Sequence, residues 1–154
     1  MSEFAFRQDE PSSPGPRRLI AAHLAQMRAQ TPKESVHAID LGELQKGDIS
    51  FFSLTVNGEV GAIGALKRMS ATEAELKSMH VASVLRGQGV GRALLDGLIA
   101  HARDQRIKRL WLETGAALEF APARSLYASA GFVECGPFGT YTPDPVSIFM
   151  TRNL

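Results

Sequence analysis

Residues Ala74 to Thr114, AELKSMHVASVLRGQGVGRALLDGLIAHARDQRIKRLWLET, decide the fold, because they read as strand, glycine-rich loop, long helix and strand in that order. Ala74 to Val81 follows the Ser70-Ala71-Thr72 turn and carries strand-forming residues. Beyond the loop, Leu94, Leu95, Leu98, Ile99 and Ala102 recur at helical spacing, and such a stripe must be buried against a sheet. Leu110 to Thr114 then returns as strand. A strand, a crossover helix and a second strand imply a parallel pair joined with right-handed topology.

Outward from this unit the signals are those of hairpins. Phe51 to Val56 is β-branched or aromatic, Asn57-Gly58 is a strong hairpin turn, and Val60 to Leu66 supplies the returning strand. Phe4 and Phe6 alternate with polar residues near the N-terminus. The Pro- and Ser-rich segment from Pro11 to Pro16 opens a helix on which Leu19, Ile20, His23, Leu24 and Met27 share a face. Thr31-Pro32-Lys33-Glu34 has the form of a capping box, and Asp40 with Glu43 offers another helix start, so two short helices are expected before residue 47. Downstream, Pro122 to Ala130 reads as a helix stopped by Gly131, Phe132 onward as strand, and Val146 to Met150 as the last strand after a turn-rich stretch through Pro143 and Pro145. No repeat or inter-domain linker interrupts the chain, which is expected to form one domain over residues 1–154.

A chain of 154 residues buries roughly two-thirds of its unfolded surface and needs no disulfide to be stable. With 44% hydrophobic and 21% charged residues it has the composition of a soluble protein, and no apolar run approaches the roughly 20 residues of a membrane span. The formal net charge of +1 is too small to suggest a general nucleic-acid binder, although a local basic patch could still exist. The N-terminal stretch has early acidic residues and no secretory pattern, so a cytoplasmic location is expected. Cys135 stands alone, and no Cys or His pair has zinc-ligand spacing, so no metal is expected.

The loop Arg86-Gly87-Gln88-Gly89-Val90-Gly91-Arg92 carries the chemistry. A loop between strand and helix presents unsatisfied N–H groups at the positive end of the helix dipole, which favours an anion. The glycines let backbone approach a ligand, and Arg86 and Arg92 add charge suited to a pyrophosphate. Two commoner phosphate motifs fail on the letters. A dinucleotide fingerprint starting at Gly87 or Gly89 would need glycine where Arg92 or Leu94 stands, and no Gly-Lys-Ser or Gly-Lys-Thr of a P-loop occurs.

The pattern Arg-x-x-Gly-x-Gly does fit, and with it the sequence resembles the GNAT superfamily of acyl-CoA-dependent N-acyltransferases. The preceding strand, from Ala74 to Val81, stands where that family has its fourth strand, and Leu126-Tyr127 with Gly131-Phe132 matches a Leu-Tyr-x-x-x-Gly-Phe signature. Thr31 to Asp40, Lys77-Ser78-Met79 and Cys135 to Tyr141 narrow the likeness to a bacterial subgroup of small proteins. The resemblance implies a mixed α/β fold, a mostly antiparallel twisted sheet of about seven strands with about four helices, splayed at a central parallel pair. It implies acetyl-CoA (coenzyme A) as cofactor and transfer of an acetyl group to a primary amine.

Residue by residue, the resemblance implies that backbone groups of Met79, His80 and Val81 pair with the pantetheine arm, and that one N–H there polarises the thioester oxygen. The N–H groups of Arg86, Gly87, Gln88, Gly89, Val90, Gly91 and Arg92 would meet the pyrophosphate. Glu75 stands where several members carry a general base, although on an alternating strand it could equally pair with Lys77. Tyr127 matches the tyrosine that hydrogen-bonds or protonates the CoA sulfur. Phe120 departs from the family's usual Asn and is expected to give an apolar wall. His80 could also shuttle a proton, with its facing dependent on a strand bulge. By location alone, Ser35, Val36, His37, Thr114, Phe138 and Tyr141 are candidates for the acceptor side. The acceptor is expected to be a small-molecule or protein amine, with no nucleic acid or membrane partner. A homodimer and a non-catalytic acyl-CoA sensor both stay open.

Overall fold

In a computed structural model that describes residues 2–35 and 40–154, seven strands and four helices follow the order read from the sequence. The strands are β1 (Phe4–Gln8), β2 (Ile49–Val56), β3 (Glu59–Arg68), β4 (Glu73–Val81), β5 (Arg109–Gly115), β6 (Val133–Cys135) and β7 (Ser147–Asn153). The helices are α1 (Pro14–Gln30), α2 (Leu41–Leu44), α3 (Val90–Asp104) and α4 (Ala121–Ser129). They form one sheet in the order β1-β2-β3-β4-β5-β7-β6, with every neighbouring pair antiparallel except β4 and β5.

Two apolar layers flank the sheet. Leu94, Leu95, Leu98, Ile99 and Ala102 of α3 pack with Phe52, Leu54, Leu76, Leu110, Leu112 and Met150 in the larger layer, against which Leu126 and Tyr127 of α4 also rest. Leu19 and Ile20 of α1 and Leu44 of α2 cover Phe51, Ile63 and Ala65 on the other face. The split between Phe51 and Phe52 is the period of two expected of a strand buried on both sides.

Close approach decides one glycine. A Cβ at Gly97 would overlap the ring of Phe6, which stacks on Phe52 with centroids 5.2 Å apart. Gly97→Ala is expected to force that ring out of its stack and to cost about 1–3 kcal/mol, read as a lowered midpoint in denaturant melts. An unchanged midpoint would show that β1 moves aside freely.

The expected helix pair before residue 47 takes a different form. The apolar stripe continues as one 17-residue helix, α1, and Thr31 ends it as an extended C-cap instead of opening a new helix. Lys33 to Ser35 makes only a 3₁₀ turn. Asp40 does cap α2, its side chain accepting from the Glu43 N–H at 3.0 Å, yet that helix has a single turn. β7 runs three residues beyond the expected end, to Asn153, and inserts between β5 and β6.

The functional geometry comes from β4. Its parallel pairing with β5 covers only Glu73 to Glu75 against Arg109 to Trp111, after which the register ends and the two strands diverge. On its other edge, Ile63 pairs with His80 but Ala65 with Lys77, so one residue of β3 faces two of β4. This bulge holds Ser78 at φ 57°, a left-handed conformation that few non-glycine residues adopt. Its consequence is a change of face. Ala74 and Leu76 point to the α3 layer, and beyond the bulge Met79 and Val81 do so, leaving His80 on the α1 side with Glu75 and Lys77.

Candidate active site

A cavity of about 540 Å³ occupies the divergence of β4 and β5. Its walls bring together Glu75, Met79, His80, Val81, Arg86, Gly87, Gly89, Val90, Gly91, Arg92, Thr114 and Tyr127. That includes nearly all the residues implicated from the sequence, and Phe120 lies in the wall as an apolar surface, where it packs over Gly115.

One end of the cavity is built for an anion. Gly87 (φ 78°) and Gly89 (φ 83°) take left-handed conformations that would strain any other residue, and nothing lies within 4 Å of where a side chain would project. Among the described residues, the N–H groups from Gly87 to Arg92 donate no backbone hydrogen bond, so they remain directed outward at the N-terminus of α3. Arg92 is oriented by Asp96 at 2.9 Å and Ser129 at 3.2 Å, and Arg86 by Gln26 at 2.9 Å. Gln88 contributes backbone only, because its amide is turned back to the Val84 carbonyl at 3.2 Å.

The other end holds a buried network. Tyr141 donates to Glu75 Oε2 at 2.6 Å, and Lys77 Nζ reaches Tyr141 Oη at 2.8 Å and the same Glu75 oxygen at 3.3 Å. Both readings of Glu75 therefore meet in one place: it lines the cavity and it pairs with Lys77. Both contacts fall on Oε2, and among the described residues no hydrogen bond occupies Oε1 of this cavity-lining carboxylate. Burial and the neighbouring Glu75 carboxylate push the Tyr141 hydroxyl far up, so it stays a hydrogen-bond donor. Next to this network Ser147 donates to Glu113 at 2.8 Å and Ser35 to Asp144 at 2.5 Å.

Tyr127 lies between the two ends. Burial raises its phenol to about 12, so it keeps its proton at neutral pH, and its Oη sits 3.9 Å from the Met79 sulfur. On the α1 side, His80 and His23 face each other with Nδ1 atoms 3.3 Å apart. Burial is the main cause that lowers both to about 4, so both are neutral at pH 7.

Several candidates stand elsewhere. Phe138 is buried among Trp111, Tyr141 and Phe149, where it backs the network without lining the cavity. Tyr141 acts on Glu75 and Lys77 from behind. Val36 and His37 lie outside the described residues. His23 went unassigned in the sequence and Lys77 was named only as a pairing partner of Glu75; the signals were local, the stripe of α1 for His23 and alternation for Lys77. Cys135 is half-buried on β6 and burial raises its thiol, which suits a structural residue.

The sequence model of the Acetyltransferase (GNAT) family matches residues 17–132. This chain belongs to that family. Its curated relatives include the uncharacterised N-acetyltransferases YsnE of Bacillus subtilis and YedL of Escherichia coli. YsnE is 40% identical over 88% of this chain and 90% of its own length, and YedL 35% identical over 98% and 95%. A GNAT family acetyltransferase from Elizabethkingia anophelis, solved with acetyl-CoA bound, shares the fold with a TM-score of 0.71 at 20% identity, over 98% of each chain. The protein is an acyltransferase, and acetyl-CoA is the cofactor of its family. The anion end fits that cofactor: free N–H groups, glycines that leave room for a pyrophosphate and two arginines adjoin the cavity of about 540 Å³. Among the described residues no helix is long and apolar enough to cross a membrane, and no cluster of three or more His, Cys, Asp or Glu could hold a metal.

Proposed function

We propose that this GNAT protein transfers the acetyl group of acetyl-CoA to a primary amine, of a small molecule or a protein, by direct attack within a ternary complex. The supporting observation is one continuous cavity with an anion-binding loop at one end, a protonated Tyr127 at its middle and the Glu75 carboxylate at the other. When bound, acetyl-CoA supplies an activated thioester. The loop from Arg86 to Arg92 holds the pyrophosphate, and the freed edge of β4 at Met79, His80 and Val81 pairs with the pantetheine arm and polarises the carbonyl oxygen.

An alkyl ammonium with pKa near 10 is neutral only about one part in a thousand at pH 7, so the acceptor must lose a proton before it attacks. Glu75 receives that ammonium on the oxygen that Tyr141 and Lys77 leave open. Tyr127 donates to the departing sulfur, a task for a phenol that has not lost its proton. Thr114 lines the acceptor side.

Calorimetric titration with acetyl-CoA, coenzyme A and ATP, followed by an amine screen for free-thiol release, tests the reading. Both CoA species are expected to bind and ATP to bind far more weakly. Glu75→Gln and Tyr127→Phe are each expected to lower turnover about tenfold with acetyl-CoA affinity kept within about twofold. No binding of either CoA species sinks the reading. Binding without transfer to any amine would make the protein a sensor, and unchanged turnover in both variants removes the two assigned roles.

A further inference from the structure

The proton bookkeeping of amine acylation leaves one requirement that Glu75 and Tyr127 do not meet. Two protons leave the acceptor nitrogen when an ammonium becomes an amide. The one Glu75 takes offsets, through solvent, the one the sulfur gains through Tyr127. The second leaves as the carbon–nitrogen bond forms, and it must travel from a buried reaction centre to water.

The His80–His23 pair has the geometry for that transfer. Its Nδ1 atoms are 3.3 Å apart and the rings meet nearly edge to face, so one Nδ1 must carry a proton and the other must accept it. That arrangement fixes both far nitrogens in opposite states: one ring presents a bare Nε2 and the other an Nε2–H. Neither Nε2 bonds to a protein atom among the described residues. The one fully buried, unpartnered side-chain polar atom among them is the Ser78 hydroxyl, so both Nε2 atoms reach the cavity that the rings line. The bulge at Ser78 is what turns His80 to this face, one residue past Met79, which faces the α3 layer.

Resting on the acyl-transfer reading, we infer that His80 and His23 form a two-imidazole relay that carries the second proton away from the acceptor nitrogen. His80, on the strand that flanks the thioester, takes the proton at Nε2. Its Nδ1 proton crosses to Nδ1 of His23, and the Nε2 proton of His23 passes to water. Once the product has left and water fills the cavity, His23 regains a proton at Nε2, its Nδ1 proton crosses back to Nδ1 of His80, and His80 gives up its Nε2 proton to water, which restores both starting tautomers. The charge that acts on His80 is Arg86, and His23 feels His80 itself; the paired Lys77 and Glu75 share the strand face, and Gln26 is a neutral neighbour on α1. Arg86 opposes a lasting positive charge on His80, and both rings rest neutral at pH 7. A relay works on that condition, because a site that held the proton tightly would trap it.

Two measurements decide the matter. Nitrogen-15 correlation spectra of the imidazoles, recorded on the wild-type protein saturated with coenzyme A at pH 7.5, are expected to show the proton on Nδ1 of His80 and on Nε2 of His23. Protons on Nε2 of both rings would overturn the relay, since no Nδ1–H would remain to cross. His80→Gln and His23→Gln, assayed with an amine that the wild type acetylates, are each expected to lower turnover at least about tenfold at pH 7.5 with acetyl-CoA affinity within about twofold, and added free imidazole to restore part of it. Unchanged turnover in both variants overturns the relay, and so does loss of acetyl-CoA binding, which would make the pair a ligand contact. A wild type that binds acetyl-CoA yet acetylates no amine overturns the transfer reading, and the relay with it. That differs from a failed relay, in which the wild type turns over and the variants keep pace.

Discussion

Reversing both arginines of the loop, Arg86→Glu with Arg92→Glu, is expected to weaken acetyl-CoA binding by at least about a hundredfold, about 2.7 kcal/mol or more. The effect is large because it changes sign as well as removing a contact. Charge-assisted bonds from guanidinium to phosphate are lost, and two carboxylates come to face the pyrophosphate at the N-terminus of α3. Both side chains are exposed and take part in surface contacts, Arg86 to Gln26 and Arg92 to Asp96 and Ser129, so the fold should survive. Calorimetry with a denaturant melt as control reads the outcome. A folded double variant that still binds with wild-type affinity would place the pyrophosphate elsewhere and leave the glycine loop without its assigned ligand.

This loop was also the most legible part of the molecule. Strand, loop and helix were visible because each rests on a local pattern: alternation in Ala74 to Val81, glycines at the positions that need positive φ, and the stripe from Leu94 to Ala102. The Asn57-Gly58 hairpin and the Gly131 stop were legible for the same reason, and both residues of the hairpin turn and Gly131 have positive φ. Thr31-Pro32-Lys33-Glu34 misled because a capping box describes how a helix could start, not whether an apolar face exists to bury it; after α1 the chain makes only the turn Lys33 to Ser35.

What the sequence could not show depends on contacts far apart along the chain. The insertion of β7 between β5 and β6 is a matter of pairing order, and the local pattern of Ser147 to Asn153 is the same whichever neighbour it takes. The bulge sits at Ser78, a residue with no left-handed preference of its own, so its place came from long-range pairing of β3 with β4. Tyr141 meets Glu75 across 66 residues and His23 meets His80 across 57, and no spacing rule reaches that far. Glu75, Met79, His80 and Val81 could be gathered on one strand, but which residues face them was a property of the folded sheet.

The same imidazole pair gives the protein an expected weakness in acid. His80 is 7% exposed and titrates near 4 in the folded protein, against 6.5 for a free histidine. Its folded pKa lies below its unfolded one, so between those values the unfolded chain binds the proton and the folded chain does not. Stability is then fully retained above pH 6.5 and falls as pH drops toward 4, by on the order of 3 kcal/mol for this one group at 1.36 kcal/mol per pH unit. His23 is displaced in the same direction, and adds to the slope. Urea melts of the wild type at pH 7.5, 6, 5 and 4.5 should therefore show a falling unfolding free energy, with the loss concentrated below pH 6. His80→Gln cannot take up that proton. The variant should start less stable at pH 7.5, where it lacks the buried imidazole contact, yet lose clearly less over the same interval, so that the two curves approach each other in acid. Parallel curves would mean that His80 is protonated as readily in the folded state as in the unfolded, which the desolvated contact with His23 forbids.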